Sequence, residues 1–65
     1  MEQVFIVHVT DIIKFQQLRG IKTIAEIFMD SGVWLLSCSA RDDIDLNDLL
    51  RYDYVLEINR TLARL

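Results

Sequence analysis

The sequence predicts a small α/β (or α+β) domain in which a three-stranded sheet is covered on one face by a single main helix. Two short apolar runs, Val4–Val9 and Val33–Ser39, have the composition of strands, and about twenty residues with helical periodicity lie between them. A third segment, Tyr52–Ile58, alternates with the period of a strand. We therefore expect the order strand, helix, strand, short helix, strand, in a single domain over residues 1–65.

The two apolar runs are the basis of the predicted sheet. Val4–Val9 is dominated by β-branched and aromatic residues, and Val33–Ser39 opens with four large apolar residues. Neither run has a clear polar face, which is typical of strands covered on both sides. One helix covers only one face of a sheet, so we expect another copy of the chain or a target protein to cover the other.

The segment between the runs is predicted to be helical over Asp11–Ser31, with the clearest pattern in Leu18–Met29. Apolar residues recur there three and four positions apart, at Leu18, Ile21, Ile24, Ala25, Phe28 and Met29. Asp11 is a suitable N-cap, and Gly32 is the expected C-cap glycine. Two buried strands joined by such a helix predict parallel pairing through a right-handed βαβ unit.

The second half of the chain predicts smaller elements. Asp45 is a suitable N-cap for a short helix over Leu46–Arg51. Tyr52–Ile58 then alternates between apolar and polar residues, which predicts a half-exposed strand at a sheet edge. In the C-terminal tail, Leu62 and Leu65 have the spacing of the apolar side of a last helical turn.

Composition excludes several classes of protein. The net charge is −3, with seven Lys and Arg residues against ten Asp and Glu residues, which argues against a protein held on phosphates. One cysteine and one histidine cannot form a disulfide within the chain or a tetrahedral zinc site. No run is long enough to cross a membrane, and the free Cys38 suits a reducing compartment. We expect a cytoplasmic protein without cofactor, metal or membrane.

The strand Val4–Val9 with the following Thr10 and Asp11 resembles the apolar strand of nucleotide hydrolases, which ends in an acid that holds magnesium. The resemblance implies that Asp11 would hold the metal in a truncated relative of those enzymes. The chain contains no Gly-x-x-x-x-Gly-Lys-Ser/Thr loop to hold a phosphate. Capping is the commoner role of an Asp after a strand, so capping is the preferred interpretation.

A small DNA-binding regulator is the first alternative, ahead of the nucleotide-hydrolase relative. Thr23–Glu26 places an alanine as helix-turn-helix segments do, and Ser31 with Gly32 resembles their turn. The residues that follow should form a polar recognition helix, but they read Val-Trp-Leu-Leu. The acidic net charge also argues against this alternative.

Two further patterns could carry chemistry. His8 and Cys38 lie at similar depths in strands that could be neighbours, and a Cys–His pair can act as nucleophile and base. Asp43, Asp45 and Asn47 have the oxygen spacing of a calcium loop, but the required Gly and Glu are missing. We therefore predict neither a catalytic residue nor a metal ligand.

The leading hypothesis is a non-enzymatic protein-binding module, such as a small inhibitor, antitoxin or adaptor that occludes a partner protein. A two-fold homodimer is also expected, because a chain of 65 residues without a disulfide or metal has little stability of its own. Tyr and Arg are enriched at binding hot spots. The candidate partner-binding residues are Tyr52, Tyr54, Arg51 and Arg60 at the predicted edge, and Phe5, Val7 and Leu35 on the predicted sheet face.

Overall fold

The computed structural model describes residues 2–29 and 31–60. Four strands, one short α-helix and one 3-10 helix follow one another along the chain. Their bounds are β1 (Glu2–Val9), α1 (Ile12–Gln16), β2 (Ile21–Phe28), β3 (Trp34–Arg41), the 3-10 helix η1 (Leu46–Arg51) and β4 (Val55–Asn59). The predicted helical turn containing Leu62 and Leu65 lies outside the described residues.

The strands form one four-stranded sheet in the order β2-β3-β1-β4, and all neighbouring strands are antiparallel. The prediction of a three-stranded sheet under one main helix, with parallel pairing, is therefore wrong. Two strands separated by a helix still run the same way, but each such pair has a third strand between its members. This connectivity is that of the split β-α-β, or ferredoxin-like, arrangement, which hosts many unrelated functions.

The error arises in the segment predicted as the main helix. Among the described residues of that segment, Ile12–Gln16 is helical and Ile21–Phe28 is the edge strand β2. Gly20 has φ +82°, a left-handed conformation that separates the two elements. Gly32 also has φ +82°, but it lies in the turn of the β2–β3 hairpin instead of capping a helix. Four of the eight residues of β2 are isoleucine or threonine, whose β-branched side chains favour a strand.

The core lies on one face of the sheet. Along β1 and β3 the side chains alternate between the two faces of the sheet, so that residues on the core face are separated by neighbours that point to the opposite face. The short helices α1 and η1 pack over the buried side. The core residues are Phe5, Val7 and Val9 of β1, Leu36, Cys38 and Ala40 of β3, Phe15 of α1, Leu46 and Leu49 of η1, and Val55 of β4.

Two predicted caps are confirmed. The backbone N–H of Lys14 donates to Asp11 Oδ1 at 3.0 Å, and the backbone N–H of Asn47 donates to Asp45 Oδ1 at 3.0 Å. The bounds predicted for the short helix Leu46–Arg51 also hold, although it is a 3-10 helix. Each cap satisfies a backbone donor that the first turn of a helix leaves unpaired.

The predicted last strand is shorter than expected. It begins at Val55, so Tyr52 and Tyr54 precede it, and its position at the edge of the sheet is confirmed. The predicted alternation is reversed at its start, because Val55 is buried against the core while Leu56 is exposed. A bulge at Leu56 accounts for this, since it inserts one residue between Val55 and Glu57 opposite β1.

We predict that Phe15→Ala unfolds the protein or nearly so. Phe15 is the one buried residue of α1, and removing a buried Phe costs about 3–5 kcal/mol, a large share of the stability of so small a domain. Ile13→Ala in the same helix is the control, because the Ile13 side chain is 67% exposed and its loss should change the free energy of unfolding by about 0.5 kcal/mol or less. Urea denaturation followed by circular dichroism measures both, and equal losses in the two variants would contradict this packing.

Candidate functional site

One face of the sheet is left without cover. Both short helices contribute to the core on the opposite side, and within residues 2–29 and 31–60 no helix or strand packs over this face. We call it the open face. Its members, taken from the strand register and the burial pattern, are Glu2, Val4, Ile6 and His8 of β1, Lys22, Ala25 and Ile27 of β2, Leu35, Ser37, Ser39 and Arg41 of β3, and Glu57 and Asn59 of β4.

The strand register arranges these side chains in three rows that run across the sheet. The first row reads Ile27, Leu35, His8, Glu57 from β2 to β4. The second row reads Ala25, Ser37, Ile6, Asn59. The third row reads Lys22, Ser39, Val4 over β2, β3 and β1, and the pair Arg41 and Glu2 lies beyond it on β3 and β1. Side chains directly opposite one another in such rows are in lateral contact distance.

The open face combines apolar side chains with a lower strip of small side chains. Ile27 is 59% exposed and Val4 is 39% exposed, while Ile6 and Leu35 are half-buried between their neighbours. The small side chains of Ala25, Ser37 and Ser39 form a lower strip beside them, so the surface has relief that another surface could fit. Its charged members are Lys22 and Glu57, at diagonally opposite corners, and Glu2 and Arg41, which face each other beyond the third row.

His8 lies beside Glu57 in the first row. The His8 Nδ1 atom is 3.7 Å from Glu57 Oε2, which is beyond hydrogen-bond distance, and it has no hydrogen-bond partner among the described residues. The His8 side chain is 28% exposed. It borders a shallow depression at this end of the sheet that is lined by His8, Met29, Ser31, Val33, Leu56 and Glu57. The depression continues the open face toward the β2–β3 turn.

Both edges of the sheet are interrupted by bulges. Ile24 is the extra residue in β2, between Thr23 and Ala25, and Leu56 is the extra residue in β4. The bulge in β2 also places its two charged residues on opposite faces of the sheet. Lys22 is on the open face, while Glu26 Oε2 accepts a hydrogen bond at 3.2 Å from Nε2 of Gln16 on the helical side. Bulges disturb the regular row of donors and acceptors that an added strand would need.

The Cys38 thiol is on the core face and is fully buried. Burial raises its pKa from the ordinary value of 9.0 to about 11, and a hydrogen bond with the Thr23 side chain opposes this only in part. His8 points to the opposite face of the sheet, so the structure does not bring the two side chains together. The Cys–His arrangement considered from the sequence is therefore not formed.

The structure separates the three candidates on the predicted sheet face. Phe5 and Val7 are completely buried against the helices, where a partner cannot reach them in the folded chain. Leu35 lies on the open face, half-buried between Ile27 and His8. In β1 the sequence does not assign the sides, because Val4 and Ile6 are as apolar as the core residues between them, whereas in β3 the polar Ser37 and Ser39 mark the side of the open face.

The four candidates of the predicted edge do not form one cluster. Tyr52 and Tyr54 stack on each other with ring centroids 5.2 Å apart, and Arg51 precedes them with its Nε atom 3.9 Å from Asp48 Oδ1. They lie where the chain enters β4, since Tyr54 O accepts a hydrogen bond from the Thr10 N–H. Arg60 follows the other end of β4, about 16 Å away at the rise of a strand.

The acidic loop and the remaining alternatives also have defined places. Asp45 caps η1, and Asp43 Oδ1 is 3.4 Å from Arg41 Nε. In the part of the chain that the structure describes, no three acidic, histidine or cysteine side chains group as metal ligands would. The segment that resembled a helix-turn-helix, Thr23–Glu26, is in strand β2, and Asp11 is engaged as a helix cap.

The fold thus defines a small one-sided α+β domain with an open sheet face. No protein-family model, curated protein or solved structure matches the chain. Among the described residues, no helix has both the length and the apolar character needed to cross a membrane. The geometry of the open face is therefore the observation from which a function is inferred.

We predict that the Cys38 thiol destabilises the fold at alkaline pH. Its pKa is raised in the folded state, so its contribution to the free energy of unfolding is complete below about pH 9 and is lost as the pH rises toward 11. Cys38→Ala should show a smaller loss over this interval, because it lacks the thiol and the two proteins share all their other ionisable groups. Urea denaturation at pH 8, 9 and 10 measures the free energy of unfolding of both proteins. Equal losses of that free energy in the two proteins would contradict a raised pKa of the Cys38 thiol.

Proposed function

We propose that this chain is a non-enzymatic protein-binding module that covers a surface of another protein, as a small inhibitor, antitoxin or adaptor would. The open face is the observation that carries this proposal. Contiguous apolar surface exposed on a folded domain often marks a binding site. Here Ile27, Leu35, Ile6 and Val4 are joined across three strands and have no cover among the described residues.

The size of the face suits binding of modest strength. Four strands at about 4.8 Å spacing and three rows along them give roughly 500 Å² of accessible surface with side-chain relief included. An interface that buries this area on each partner falls at the lower limit for specific complexes, which is about 1,000–1,200 Å² in total. We therefore expect affinity to depend on a few anchors, with Ile27 the most prominent because it is the most exposed apolar member of the face.

The charge of the face supports a protein partner over a nucleic acid. The open face carries Lys22 and Arg41 against Glu2 and Glu57, so its formal charges balance and it offers no basic stripe for phosphates. A DNA-binding regulator and a nucleotide hydrolase remain weaker candidates, since Thr23–Glu26 is not a helix and Asp11 already accepts a cap hydrogen bond. We also propose that the module is cytoplasmic, because the free, buried Cys38 suits a reducing compartment.

We predict that Ile27→Glu abolishes binding to the partner while Ile13→Glu does not. Both side chains are exposed isoleucines, at 59% and 67%, but Ile27 is on the open face and Ile13 is on the outside of α1 across the sheet. Both substitutions introduce the same charge, so a difference in binding between the two variants reports on the open face. Immobilised native protein and the two variants are incubated with extract of the native host, and captured proteins are quantified by mass spectrometry.

The supporting result is a protein captured by the native chain and by Ile13→Glu that Ile27→Glu loses by tenfold or more. Purified partner and chain should then form a complex with the same dependence on the two variants. Loss of capture in both variants, or in neither, would mean that the open face is not the binding surface. Circular dichroism and urea denaturation of both variants verify that each is folded.

A further inference from the structure

We propose that the shallow depression at the end of the open face binds a lysine side chain of the protein partner, with the ammonium group between Glu57, His8 and Ser31. This site rests on the proposed function, because the open face is taken to be the surface that the partner covers. It deepens that function by naming the chemistry of one contact that the partner supplies. The lining of the depression, the hydrogen-bonding state of His8 and the charge of Glu57 each point to this ligand.

The depression has the size and the walls that suit one side chain. Its volume is about 340 Å³, which is at the small end of the range of ligand pockets. Three of its lining residues, Met29, Val33 and Leu56, are apolar. An apolar wall of this kind favours a side chain with a hydrocarbon stem, as lysine has, and leaves the polar end of the stem to the other lining residues.

The turn of the β2–β3 hairpin holds one wall of the depression in place. The backbone N–H of Met29 donates to the carbonyl oxygen of Val33 at 2.7 Å, and the N–H of Gly32 donates to the carbonyl oxygen of Met29 at 3.1 Å. Gly32 has φ +82°, which a tight turn requires and glycine adopts without strain. This wall is therefore present in the free chain.

The polar lining residues, His8, Ser31 and Glu57, all offer hydrogen-bond acceptors to the depression. Glu57 accepts through its carboxylate, and Ser31 accepts through either its hydroxyl or its carbonyl oxygen. His8 Nδ1 is shielded from solvent and lies 3.7 Å from Glu57 Oε2, so in the neutral ring the proton on Nδ1 prevents two lone pairs from facing each other. Nε2 is then an acceptor on the exposed side of the ring.

A lysine ammonium matches this set of acceptors. It has three donors, no acceptor and a full positive charge. A tyrosine hydroxyl would satisfy one acceptor and leave the carboxylate of Glu57 without a counter-charge. A guanidinium holds its donors in a planar fork that pairs with the two oxygens of one carboxylate, so it would leave His8 and Ser31 without a donor.

The charge of Glu57 requires such a cation once a partner covers the open face. The other cations of this face lie elsewhere, since Lys22 is at the opposite corner and Arg41 Nε is 3.4 Å from Asp43 Oδ1. Among the described residues, no lysine or arginine forms an ion pair with Glu57, whose side chain is 66% exposed to water. A partner that removes this water without supplying a cation would leave a carboxylate covered and unpaired, which is costly.

Capped amino acids test the depression directly on the native chain. Nα-acetyl-lysine amide should bind with a dissociation constant on the order of 10 mM, because one side chain in a shallow site makes few contacts. Nα-acetyl-norleucine amide has the same stem without the ammonium and should bind about fivefold more weakly or worse. Nα-acetyl-arginine amide has the same charge and should bind about threefold more weakly, for want of donors to His8 and Ser31. Amide chemical shifts followed at pH 8 and constant ionic strength measure all three.

Three variants locate the binding of the capped lysine. Glu57→Gln keeps the shape of the side chain, removes its charge and should raise the dissociation constant about fivefold. Glu2→Gln is the matched control, because it removes the same charge from the same face about 20 Å along β1 from His8, and it should leave the constant unchanged. His8→Phe keeps a ring without the Nε2 acceptor and should raise the constant about threefold.

The lysine site is overturned if capped norleucine or capped arginine binds as tightly as capped lysine. It is also overturned if Glu57→Gln or His8→Phe binds like the native chain, or if Glu2→Gln loses as much affinity as Glu57→Gln. If Ile27→Glu still loses its captured partner in these cases, the proposed function stands and only the lysine contact is excluded. If capped lysine binds as expected but Ile27→Glu keeps its captured proteins, the open face is not the surface that the partner covers, and the proposed function fails.

Discussion

The pairing of β1 with β3 is the interaction on which the rest of the structure depends. All eight residues of each strand are in register, from Glu2 opposite Arg41 to Val9 opposite Trp34. This register places Phe5 beside Cys38 and Val7 beside Leu36 on the same side of the sheet. A slip of one residue would turn His8 into the core and expose the large apolar residues, so burial fixes the register strongly.

The one-sided core follows from that pairing and from the lengths of the helices. α1 has five residues and η1 has six, which is enough to place Phe15, Leu46 and Leu49 over one face of the central strands. The opposite face keeps Val4, Ile6 and Leu35 beside the polar Ser37 and Ser39. The open face is thus a consequence of partly apolar strands in a structure whose described helices cover one side of the sheet.

Residues 21–28 show how local pattern and tertiary pairing compete. Their apolar residues fit a helical period, but they are also rich in isoleucine and threonine, and a short run of this kind is ambiguous. Pairing with β3 decides the conformation, because the antiparallel ladder satisfies the backbone donors and acceptors that β2 directs toward β3. Gly20 and Gly32, both with positive φ, lie before and after the strand. The sequence alone predicts Gly32 to be the C-cap of a helix.

The sequence by itself determined the two central strands, the edge position of the last strand, both helix caps and the bounds of η1, because composition and capping chemistry are local. It also indicated that the apolar strands would exceed the cover available. Only the tertiary structure decided that Phe5 and Val7 are core while Leu35 is on the open face, and that His8 and Cys38 point apart. The reason is physical: β1 is apolar at Val4 and Ile6 as well as at Phe5 and Val7, so its pattern does not fix which side meets the helices until they pack on one of them.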